Sequence, residues 1–235
     1  MNRFPGLLQE FDRLKGPGRV SPDSGGLLDL LHRCLAISDN MQIWENSAIA
    51  ATLRSAEEAD ELTGPRLVTD ELQTLLETFN QHGYGFAFIV FRFWAACIIL
   101  YSTTMLVHQS LAEGRSASQL PLIPAWVNPR PFATNISRCV SHFFRPEAGL
   151  YGAQMAAFPI GCALHFYAAT GMRESEEYQQ VCSMFRQTRL GGVPGDFLRS
   201  IADNAASQDA KGDCTNGDEH VNMASKWFGS SNTAV

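Results

Sequence analysis

Polar side chains are scarce in the two most apolar stretches of this 235-residue chain, and these few are the residues whose types and spacing could do chemistry. Arg92, Tyr101 and His108 lie in the stretch 84–111, YGFAFIVFRFWAACIILYSTTMLVHQSL. Gln154, His165 and Tyr167 lie in the stretch 149–171, GLYGAQMAAFPIGCALHFYAATG. If both stretches are helices packed together, the six side chains line a polar-edged pocket between them, of a kind that takes small apolar ligands. The competing reading is structural, with the same groups as core residues held by buried hydrogen bonds. His108 and His165 stand late in their stretches and read as satisfied helix-end histidines unless a third group converges on them.

Other chemical signatures are missing. The sequence contains no G-x-S-x-G, no H-E-x-x-H, no phosphate-binding glycine loop and no G-x-G-x-x-G. Gly83-Tyr84-Gly85 and Gly191-Gly192 are turn material. No catalytic residue is assigned, no enzymatic activity is expected and no cofactor is called for. Histidines stand at 32, 82, 108, 142, 165 and 220 and cysteines at 34, 97, 139, 162, 182 and 214, none at metal-ligand spacing, so no metal site is expected. Five of the cysteines fall within helical apolar patterns, where they serve as small hydrophobes in a reducing, intracellular setting.

Charge points the same way. With a net charge of −6, the chain has no global attraction for nucleic acid or for an anionic membrane surface. Arg3, Arg13, Lys15 and Arg19 are interspersed with Glu10 and Asp12, and no basic stripe with interleaved aromatics occurs, so direct nucleic-acid binding is not expected. The opening MNRFPGLLQEFDRLKGPG does not read as a secretory signal, since Pro5, Gln9, Glu10 and Asp12 interrupt its apolar residues.

The elements that must position these residues read as helices throughout. Leu7, Leu8, Phe11 and Leu14 predict a helix over 4–15, and glycine and proline make 16–26 a loop. A helix over 27–37 is followed by one over 41–62, with Asp39 or Asn40 as its cap and Ile43, Trp44, Ile49 and Leu53 on its apolar face. Thr69 caps the next, which ends at Gly83, where the long apolar helix begins. Residues 114–131 form a long connection. Helices follow over 132–144, over 149–171 with Pro159 inside as a kink, from Ser175 or Glu174 to about residue 190, and over 194–205. No stretch alternates like a strand.

The 84–111 stretch has the length of a membrane span. Arg92 near its first third, and the polar residues Tyr101 to Thr104 and His108 in its second half, favour the core helix of a soluble protein instead. In that setting Arg92 is expected to be buried and to reach a carboxylate or several carbonyls. The aromatic run Phe86, Phe88, Phe91, Phe93, Trp94 reads as core rather than as a stacking platform. The expected fold is all-α, a single bundle of about 8–9 helices with two enclosed apolar helices. The expected organisation is a short helix and loop at 1–26, one domain at 27–206 and a disordered tail at 207–235, polar and poor in aliphatics.

Several short pieces carry a resemblance. Phe93-Trp94-Ala95-Ala96, then Gln154-Met155-Ala156-Ala157-Phe158-Pro159, then Leu164-His165-Phe166, then Glu176-Glu177 with Met184-Phe185, resemble the C-terminal helical region of fungal-specific transcription factors of the six-cysteine zinc cluster class. The resemblance covers about residues 40–205, and its motifs are apolar and degenerate. It implies an all-α regulatory domain that modulates activity and contacts partners. DNA binding in that family belongs to a separate N-terminal zinc cluster, and here no two cysteines stand closer than 20 residues. The implied protein is nuclear and regulates a secondary-metabolite pathway through protein partners, either transcription machinery or a full-length regulator, with a small-molecule effector as a further implied partner. The alternative is a small-molecule-binding protein or a non-hydrolytic enzyme of such a pathway, using the pocket between the two apolar helices.

Overall fold

Leu7, Leu8, Phe11 and Leu14 recur at helical spacing, and the helix they predict, Phe4–Lys15 (α1), buries all four. The computed structural model describes residues 4–15, 24–49, 72–113 and 120–187, and these are all-α, with six α-helices and no strand among them. After α1 come α2 (Ser24–Trp44), α3 (Leu72–Ala112), α4 (Arg130–Cys139), α5 (Gly149–Ala169) and α6 (Glu176–Gln187). The expected helix over 194–205 and the expected tail over 207–235 lie outside the described residues. So do the residues 50–62 that were to complete the third helix.

The described residues divide into two compact units. The first holds α1, α2 as far as Asp39, and α3 from Ile99 onward with the chain to Asn128. The second holds 40–49, 72–98 and 129–187. In the first unit Leu27, Leu30, Leu31 and Cys34 of α2 are buried, and Arg33 pairs with Glu10 of α1 and with Asp29, 3.2 Å away. Thr103 and Thr104 each donate to the carbonyl four residues earlier, Ile99 and Leu100, at 2.7 and 2.8 Å. Their hydroxyls therefore cost the apolar helix nothing in unmet polar groups. In the chain after α3, the Val127 amide donates to the Pro124 carbonyl at 3.0 Å, and Trp126 meets the Tyr101 ring edge-on at 6.0 Å.

One expected boundary is absent. The helices read over 27–37 and 41–62 are a single element, because α2 runs through Asp39 and Asn40 to Trp44 and then loosens into a π-helical turn, Glu45–Ile49. Within this continuous helix the Ser38 hydroxyl is satisfied by donating back to the Cys34 carbonyl at 2.8 Å, and Asp39 and Asn40 occupy the exposed side. Ile43 and Trp44, expected on a buried face, are exposed.

In the second unit, α4 packs against α5 and α6, and the 3₁₀ turn Val140–Phe144 packs against α5. Pro131 suits the first turn of α4, where a missing amide leaves no bond unmade. Ser175 caps α6, accepting from the Tyr178 amide at 3.3 Å, with Glu176 and Glu177 in the first turn facing the positive helix end. Gly171, at φ 71°, closes α5: the Met172 amide reaches the Tyr167 carbonyl at 2.8 Å and the Gly171 amide the Ala168 carbonyl at 3.3 Å. Pro159 is buried within α5, and the helix is continuous past it.

Candidate functional site

The six side chains singled out by sequence are divided between the two units. Tyr101 and His108 belong to the first unit; Arg92, Gln154, His165 and Tyr167 belong to the second. Tyr101 is buried beside Trp126, and His108 is half-buried. Tyr167 is also buried and turned toward α4, where its hydroxyl lies 3.4 Å from that of Thr134. Burial pushes its pKa up, and hydrogen bonds from Thr134 and Ser137 draw it part of the way back. Gln154 and His165 lie on the opposite side of α5, eleven residues apart and so three turns along one face, with Gln154 exposed and His165 half-buried.

Arg92 differs from its expected setting. It is exposed, not enclosed, and no carboxylate pairs with it among the described residues. Its guanidinium lies over two rings, 5.0 Å from the Phe88 centroid and 5.3 Å from that of Phe158. The reason is local: Gly85, Ile89 and Arg92 form the one open face of α3 in this region, while every residue from Phe93 to Tyr101 is buried. A cation at the edge of two aromatic faces keeps its hydration and gains the ring quadrupoles, so it needs no buried counter-ion.

Arg92 thereby joins α3 to α5 at the surface. Phe158 continues along α5 through Gln154 to Leu150, one helical turn at a time, and Leu150 and its neighbour Tyr151 are each 56% exposed. On α3 the face continues to Ile89, 50% exposed. The result is an apolar and aromatic surface carrying one cation. It has no paired carboxylates and no nucleophile beside a base.

The second unit also holds an interior polar group that sequence reasoning passed over. His142, in the 3₁₀ turn, is only 2% exposed, and neither ring nitrogen has a hydrogen-bond partner among the described residues. Its ring lies 4.9 Å from Tyr84, 5.5 Å from Phe79 and 5.7 Å from Phe143, centroid to centroid. Burial, and then the charge of Arg145, lower its pKa below the usual histidine value. Trp94 stands on the far side of Phe79, 6.2 Å from it, and its buried Nε1 also lacks a partner. The run Val140–Phe144 gave one cue, since at three residues per turn Cys139 and His142 fall on one side, and Val140 and Phe143 on the next. Read as an α-helix, the same run sends His142 elsewhere.

The described cysteines are free thiols, mostly buried. No disulfide joins the five described ones, and burial pushes the thiols of Cys34, Cys139 and Cys162 up to about 11, about 12 and about 12. Thiols so protonated at neutral pH are poor nucleophiles and poor metal ligands. Among the described residues no three His, Cys, Asp or Glu side chains are grouped to hold a metal ion.

No family model, no curated protein and no solved structure matches this chain. The likeness to fungal zinc cluster regulators therefore rests on the short pieces quoted above.

Proposed function

We propose that this chain is a transcription-regulator-like protein that acts on a fungal secondary-metabolite pathway through protein partners rather than by binding DNA itself. In this reading the fold is a single helical bundle, the protein is soluble and nuclear, and its contacts are with transcription machinery or a full-length regulator. The observation that carries the reading is the exposed surface of the second unit. Arg92 and Tyr151 are of the residue types that dominate protein–protein hot spots, Arg92 lies over Phe88 and Phe158, and Leu150 and Ile89 add exposed apolar area. Exposed large apolar side chains gathered on one part of a surface mark sites for partners.

A second reading has an observation of its own. The partnerless Trp94 and His142 inside an aromatic cluster suit a small-molecule-binding protein or a non-hydrolytic enzyme of the same kind of pathway. Deleting the gene, then measuring pathway transcripts and accumulated intermediates, separates the two. Lost transcripts support the regulator. Normal transcripts with a stalled intermediate sink it and favour the second reading. A gel shift with purified protein at stated salt tests the indirect action, and sequence-specific retardation would overturn it.

A further inference from the structure

The surroundings of His142 are organised about one point, the break in α3. Gly83 has φ 77° and ψ 177°, far from helical values, so the helix is interrupted between Phe79 and Tyr84. Both of those rings lie on His142, Phe79 from before the break and Tyr84 from after it. Three residues beyond His142, Arg145 donates to the Asn80 side-chain oxygen at 2.7 Å, again just before the break. The turn from Val140 to Arg145 therefore grips α3 on both sides of its weakest point.

We propose that His142 is a proton-operated latch: neutral, it holds the two segments of α3 against the 3₁₀ turn, and protonated, it releases them at Gly83.

The charge balance around the ring sets the direction. An imidazolium presents two N–H donors, and here neither has an acceptor. The rings of Phe79, Tyr84 and Phe143 offer only their quadrupoles, which repay part of the lost hydration. Arg145 adds a like charge. On α3 the titratable residues near the break are Glu77, His82 and Tyr84: Tyr84 lies on the His142 ring, and His82 is exposed and packed on Phe86 at 5.2 Å. The helices packed on the turn add no carboxylate: α4 carries Arg130, Arg138 and Cys139, and α5, with Tyr151, Cys162, His165 and Tyr167, contains no Asp, Glu, Lys or Arg. Glu77, just before the break in α3, and Glu147, just after the turn, are exposed.

The linkage has a definite sign. In the open state His142 meets water and titrates near the ordinary value of about 6.5. In the closed state its pKa is lowered. The latch is at full strength above about pH 6.5, weakens as pH falls through that value, and is lost below the closed-state pKa. The opening is local, because the break already lacks helical continuity.

Amide hydrogen exchange on the full-length chain at pH 7.5 and pH 5.5, corrected for intrinsic exchange, tests this. Exchange across residues 79–88 is expected to rise on the order of tenfold at the lower pH, while 93–101 stays protected. In His142→Phe, whose ring fits the same aromatic box, that rise is expected to vanish. An unchanged rise in His142→Phe overturns the proposal, as does a uniform loss of protection across both segments. If His142→Phe does not fold, the proton titration of His142 in the unaltered chain by NMR decides. A midpoint at or above the ordinary histidine value overturns the latch, and one below it supports it.

Discussion

Among the described glycines, Gly152 has the least room to change. A Cβ there would lie 2.1 Å from the Phe143 carbonyl oxygen and 2.6 Å from the Ala148 Cβ. The first of these is backbone and cannot rotate away, so α5 can approach the 3₁₀ turn only through a glycine. Helix propensity alone would favour alanine at this interior position by about 1 kcal/mol. Overpacking opposes it by about 1–3 kcal/mol, and a backbone clash belongs at the upper end of that range. Gly152→Ala is therefore expected to lower stability by about 1–2 kcal/mol net, read from the urea midpoint at constant m-value. A stabilised variant would show that α5 can shift freely off the turn. Arg92 makes the contrasting case. Its oddity in an apolar helix was legible, but its setting was not, because helical periodicity assigns a residue to a face and does not say what covers that face. Two phenylalanines, four residues back along α3 and across on α5, turned out to be its partners.

Among the elements, α3 shows how a sequence breaker and a packing demand combine. Gly83 was readable as the junction of two helices, and the junction is present inside one long element. Its φ and ψ fall where only glycine is comfortable, while no neighbour lies within 4 Å of a Cβ built there. Gly83→Ala thus isolates the backbone cost, about 1–3 kcal/mol if the break is kept. Straightening the helix would avoid that cost, but it would draw Phe79 and Tyr84 off the His142 ring they share. The expected outcome is a loss of about 1–2 kcal/mol in chemical denaturation with no gain in helical circular dichroism. A gain in helicity without loss of stability would mean that the aromatic contacts do not hold the break. In α2 the sequence reading failed for the converse reason. Asp39 and Asn40 are good caps, but a cap is used only where the chain turns away, and here it stays helical to Trp44.

For the whole molecule, the all-α class and the positions of α1, α4, α5 and α6 were legible from spacing, proline and glycine. The grouping of the helices into two units was not, because α3 belongs to both, with the division falling between Ile98 and Ile99 inside an uninterrupted apolar run. The same run bears on the membrane question. Among the described residues α3 is the one helix long and apolar enough to cross a bilayer. A lone span in lipid exposes an apolar surface around its whole girth. Here the nine residues from Phe93 to Tyr101 are covered by the chain's own side chains, and the charge that would sit in lipid, Arg92, is on the open face instead. The full-length chain is accordingly expected in the supernatant after high-speed centrifugation and alkaline carbonate washing of disrupted cells. Recovery only with detergent, from a pellet that denaturant does not dissolve, would make α3 a span and remove the basis for reading its exposed face as a site for protein partners.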